Sequence, residues 1–293
     1  MLETVILLFA ALVLVPLGLR LVEDRARGPL ALQLLGAAKW LQPAAAVALG
    51  ASFALAQSWA AAALAAPWFL VTLLLAGVGL LDAVRYGWRL DARVGFTAAL
   101  VFVPVGGGWA VLSRAGLRPQ DFSHAIVLLT AVHFHYAGFV LPIVAGLTAA
   151  RTESKPPRSR MVPRLRFGLV CDRVMLAAII LGVPLVGVGI SLSPHIEIAA
   201  ALLLALGCTI LSVRQVQAAL LSRDATIVTL LGVSSLALVS GMALAVIYAL
   251  GEFTGHAWLS IPTMIRTHGL ANAFGFALCG LIGWNASVRH SVR

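Results

Sequence analysis

The stretch TAVHFHYAGFVLPIVAG, residues 130–146, decides the fold of this chain. It lies within residues 122–150, which hold no Asp, Glu, Lys or Arg. A helix needs about 20 mostly apolar residues to cross a bilayer, so this segment reads as a membrane span. His133 and His135 stand in its middle, and ionisable groups at that depth are costly and tend to be functional.

Working outward, the whole chain has the same character. It is 61% hydrophobic and 11% charged over 293 residues, with a mean hydropathy of +0.99. That leaves too little polar surface to wrap a water-soluble core. The expected fold is an all-α polytopic membrane helix bundle of about nine transmembrane helices, at 4–22, 34–56, 58–83, 95–116, 121–150, 167–192, 195–221, 226–250 and 260–285. The first apolar run begins Met-Leu-Glu and its arginines follow it, so it is expected to stay as a span rather than act as a signal peptide. Residues 1–293 read as a single integral membrane domain, with plain scaffold spans over 1–93 and site-bearing spans over 94–293.

Lys and Arg gather at alternate helix ends, which by the positive-inside rule places the N-terminus outside and the C-terminus in the cytoplasm. Arg114, Arg118 and Arg266 are the outer exceptions. The densest cluster, RTESKPPRSRMVPRLR at 151–166, reads as a cytoplasmic basic loop that meets anionic lipid. The formal charge of +10 is explained in the same way, and nucleic acid is not an expected partner. The expected partners are the lipid bilayer and a lipophilic small molecule, and the localisation is the bacterial cytoplasmic membrane. Asp82, Arg85, Asp172, Arg173 and Arg214 are expected to share an inner-face ion-pair layer. Cys171, Cys208 and Cys279 show no CxxC spacing and read as small packing residues.

Three further features bear on a site. In VPVGGGW, 103–109, Pro104 and three glycines imply either a broken helix or a close helix crossing. In span five, two positions of a regular helix differ by about 200° of rotation, so His133 and His135 do not share a face. His135 is expected to face a cavity with Gly138, while His133 serves a neighbouring helix. In THGLANAFGFALCGLIGW, 267–284, the residues His268, Asn272, Gly275 and Cys279 follow i, i+4, i+7 and i+11, one helical stripe.

The chemistry expected of these groups is acid/base catalysis by His135 and His268, with His133, Tyr136 and Asn272 in supporting roles. Gly138, Gly275, Phe276, Arg266 and Glu197 are the candidate substrate-binding residues. Isomerisation, cyclisation or ring opening of a lipophilic molecule needs no bound cofactor, and none is expected. The alternatives are a transporter of a small molecule, proton or metal, and a haem or copper protein with His135 and His268 as ligands.

The runs HFHYAGFVLPIVAG and HGLANAFGFALCGLIGW also resemble the YndJ-like family of bacterial multi-pass membrane proteins. The resemblance is carried by the C-terminal two thirds of the chain. It implies that His133, His135, Tyr136, Gly138, His268, Gly269, Asn272, Gly275 and Phe276 are family signature positions, and it brings no activity or ligand set with it.

Overall fold

The computed structural model describes residues 1–153 and 162–292, and the described residues form helices throughout, with no strand among them. Among the described residues nine long helices follow in order: α1 Leu2–Arg25, α2 Pro29–Ser52, α3 Trp59–Tyr86, α4 Ala92–Ala115, α5 His124–Glu153, α6 Val162–Leu192, α7 Pro194–Ala219, α8 Ala225–Thr254 and α9 Ile261–Arg289. Among the described residues eight of them are long and apolar enough to span a membrane. The exception is α2, where Gln33, Lys39 and Gln42 interrupt the apolar run. Half of the expected basic loop at 151–166 falls on residues 154–161, outside the described residues.

Polar residues start these helices where the apolar runs begin. Ser58 Oγ accepts the Ala61 N–H ahead of α3, Ser123 Oγ accepts that of Ile126 ahead of α5, and Asp224 Oδ1 accepts that of Thr226 ahead of α8. Each cap satisfies one of the orphan amides of a first turn. Leu and Val side chains point outward along the spans, with Val84 87% and Leu236 70% exposed. Such a surface suits hydrocarbon, where the intrahelical ladder satisfies the backbone.

The described residues fall into two compact units. The first comprises Met1–Trp88 and Phe96–Val140, and the second Arg89–Gly95 and Leu141–Arg293. The chain enters the second unit just before α4, returns to the first inside α4 and leaves it again inside α5, so the first unit holds His135 as well as the plain spans.

In the first unit α2 and α3 form a hairpin, and α1 packs on the first half of α5. The expected choice at VPVGGGW resolves as a close crossing, because α4 stays helical through Pro104 and the three glycines. A Cβ on Gly107 would collide with Thr72 and Phe69 of α3, and one on Gly79 of α3 would lie 2.9 Å from Leu100 Cβ of α4. In the second unit α6, α7 and α8 pack in sequence order, α9 lies along α8, and the second half of α5 packs on α6 and α7. The α8/α9 seam is equally tight, since a Cβ on Gly275 would meet Ala237 at 2.5 Å and one on Gly280 would meet Ser234 Oγ at 2.8 Å.

Three helices contain π-turns, at Ala10–Leu14 of α1, Tyr136–Val140 of α5, and Ile265–Gly269 with Ala271–Leu278 of α9. In α1 and α5 a proline follows within two residues, Pro16 and Pro142. Each proline removes an amide and crowds the carbonyl four residues back, and a wider turn relieves that clash. The first bulge also serves packing: Gln42 Nε2, buried on α2, donates to the Ala11 carbonyl at 2.7 Å.

The charge bias predicts which helix ends face out. In a variant whose native cysteines are replaced, Ala56→Cys in the α2–α3 turn should react with a membrane-impermeant maleimide in intact cells. Arg89→Cys before α4 should react only after permeabilisation. The reverse pattern would invert the topology.

Candidate functional site

His135 is fully buried in the first unit. The indole N–H of Trp68, on α3, donates to His135 Nε2 at 2.9 Å, and the two rings stack at 5.8 Å with 21° between their planes. An indole nitrogen only donates, so Nε2 holds the lone pair and Nδ1 holds the proton, which goes to the Ala131 carbonyl at 2.7 Å. The imidazole is therefore neutral, with one fixed tautomer. The remaining face is closed by α4, where a Cβ on Gly106 would lie 2.6 Å from His135 Nδ1 and 3.0 Å from the Ala131 oxygen. The space beside His135 is filled by protein.

The neighbouring candidates make contacts in the same unit. Tyr136 donates its hydroxyl to the Ile6 carbonyl of α1 at 2.9 Å. Gly138 lies against Phe134 and Phe102, where a Cβ would sit at 3.0 and 3.3 Å. The His133 ring meets Phe134 edge to face at 5.3 Å.

His268 has a comparable tautomer in a more open setting. In the second unit, its Nδ1–H donates to the Gly241 carbonyl of α8 at 2.8 Å, and its Nε2 accepts from Asn272 Nδ2 at 3.0 Å. The i, i+4 relation read from the sequence thus survives the π-turns. Both residues are half-buried, whereas Arg266 beside them is exposed. Phe276 is buried, and its carbonyl accepts from Ser234 Oγ at 2.9 Å. Glu197 stands in the first turn of α7, close enough to Glu252 to feel its charge. Cys279 Sγ donates to the Phe274 carbonyl at 3.2 Å. Among the described residues no three His, Cys, Asp or Glu side chains come together as a metal site.

The expected inner-face layer divides. Arg214 Nε and Nη2 grip the Asp172 carboxylate at 2.9 and 3.2 Å, and Arg214 also donates to Thr152 and to Gln217. Asp82, in the first unit, accepts from Thr97 Oγ1 at 2.6 Å. Beside the Arg214 pair, the fully buried Gln215 accepts from Trp284 Nε1 at 3.2 Å and donates to Ser235 Oγ at 3.0 Å.

Trp68, Gly241 and Gln215 are the participants that sequence reasoning missed. Trp68 left a usable signal. An indole in the middle of an Ala-rich span needs an acceptor at membrane depth, and an imidazole from another span can supply one. A backbone carbonyl such as that of Gly241 leaves no mark in the sequence.

The family described as YndJ-like protein matches residues 5–276. The match therefore reaches back through the first hundred residues, beyond the C-terminal two thirds that carry the resemblance. The chain is also 32% identical over 185 residues to the "Uncharacterized membrane protein YndJ" of Bacillus subtilis (strain 168). That alignment covers 63% of this chain and 31% of the relative, so the chain spans under a third of the length of that protein. No solved structure matches. With the family matched from α1 into α9, the chain belongs to the YndJ-like family and is a multi-pass protein of the bacterial cytoplasmic membrane.

Proposed function

We propose that this protein is an intramembrane enzyme that performs acid/base chemistry on a lipophilic small molecule, with His268 as the proton-transferring group. The observation that carries the reading is the bonding of that imidazole. The Gly241 carbonyl fixes the Nδ1–H tautomer from behind, which leaves a basic lone pair on Nε2. Among the described residues the partner of that lone pair is the side-chain amide of Asn272, one turn along the same helix. A substrate oxygen can take the Asn272 N–H while a reacting C–H or O–H takes Nε2. Isomerisation, cyclisation and ring opening all need such a paired withdrawal and return of a proton, without an added cofactor. His135, enclosed between Trp68 and Gly106, holds the first unit together in this reading, and Tyr136 ties α5 to α1.

The test uses the purified full chain in lipid nanodiscs, incubated in deuterated water, with mass spectrometry of any retained apolar molecule. Proton transfer at carbon should place deuterium in that molecule. His268→Ala should slow the incorporation by about 10²–10⁴-fold, the usual worth of a general base, and Asn272→Leu should slow it as well. Deuterium entering the His268→Ala variant at the wild-type rate would remove His268 from the chemistry. A molecule that is retained but never exchanged would replace catalysis with carriage across the membrane.

A further inference from the structure

The geometry points to a phosphate-anion site built on Arg114 in the first unit, suited to the headgroup of an anionic phospholipid. Arg114 lies in the last turn of α4 and is only 6% exposed. Its Nη2 donates to the Leu55 carbonyl at 2.7 Å, and its guanidinium carbon lies 4.7 Å from the centre of the Phe53 ring. Its Nε is buried without any hydrogen-bond partner. Among the described residues no carboxylate pairs with this charge. A buried, unpaired guanidinium is costly, and buried N–H groups are nearly always partnered.

The surroundings favour an anion. Gln57, in the α2–α3 turn, donates to the Ser113 carbonyl at 3.0 Å and its amide nitrogen lies 3.3 Å from His124 Nδ1, which brings an amide and an imidazole to the same end of the unit. The first turns of α3 and α5 start here, capped by Ser58 and Ser123. Guanidinium binds phosphate oxygens through paired N–H donors, which an ammonium cannot copy. The flanking apolar side chains indicate where the rest of the ligand would lie. Leu55, Leu117 and Trp59 are 44%, 41% and 73% exposed at this end of the spans, the depth at which aromatic residues meet headgroups and acyl chains begin.

The experiment is native mass spectrometry of the full chain released from mixed phosphatidylglycerol and phosphatidylcholine nanodiscs, paired with thermal unfolding in detergent with added inorganic phosphate. Wild type should retain phosphatidylglycerol preferentially. Loss of one charge-assisted pair in Arg114→Gln should weaken that retention about tenfold. Arg114→Lys keeps the charge and loses the fork, and should also weaken it, whereas Arg118→Gln on the exposed loop should not. Stabilisation by phosphate alone, lost in Arg114→Lys, would support the site with free phosphate as its ligand. A wild-type protein that neither prefers phosphatidylglycerol nor responds to phosphate would overturn the proposal, whatever the variants do.

Discussion

Asp172→Leu should cost the protein about 3–5 kcal/mol of stability, the penalty for leaving a buried cation without its counter-charge. The Asp172 side chain is 4% exposed and that of Arg214 20%, so water replaces little of the lost carboxylate. Arg214 would keep Thr152 and Gln217 as neutral acceptors, but neither carries charge. The double variant Asp172→Leu/Arg214→Met is the informative companion. Exchanging both members for apolar side chains removes two desolvation penalties together, and such swaps are often neutral or stabilising. Thermal unfolding of both variants in detergent measures the difference. A single variant that unfolds with the wild type would mean that the pair carries no stability.

The second large effect is expected at the α4 crossing over His135. Gly106→Ala puts a methyl group where the imidazole and the Ala131 carbonyl already sit, and overpacking of this kind costs about 1–3 kcal/mol. The ring cannot swing aside while Trp68 holds Nε2. Trp68→Phe releases it, at the separate cost of about 1–3 kcal/mol for an unsatisfied buried acceptor. The two changes act on one ring, so the double variant should lose less than the sum of the singles. Additive losses in a detergent unfolding series would show that His135 does not couple α3 to α4.

How much of this was visible beforehand depended on the range of each interaction. Apolar runs are local, and they located every long helix. α2 was the marginal case, because its glutamines and Lys39 are read as polar by composition, although Gln42 is satisfied inside the first unit by a carbonyl of α1. The His268–Asn272 pair was legible because both partners lie on one helix. The GGG run was not, since a kink and a close crossing require the same small residues and differ only in what lies opposite. Asp82 and Asp172 looked alike as acids at similar depth. Asp172 meets Arg214 and Asp82 meets the Thr97 hydroxyl, partners that lie on other helices and leave no mark beside either acid in the sequence.

The π-turns make one property of the chain a matter of counting. In a regular helix each residue advances the face by about 100°, and an inserted turn absorbs that advance without changing which residues are present. In α9 the widened stretch Ala271–Leu278 separates His268 from the glycines at 280 and 283 that seat the helix on α8. The direction in which His268 points is therefore written as a length, the number of residues between ring and seam. Shortening that interval by one alanine would preserve hydropathy, charge and both flanking motifs, yet turn the imidazole away from the Gly241 carbonyl.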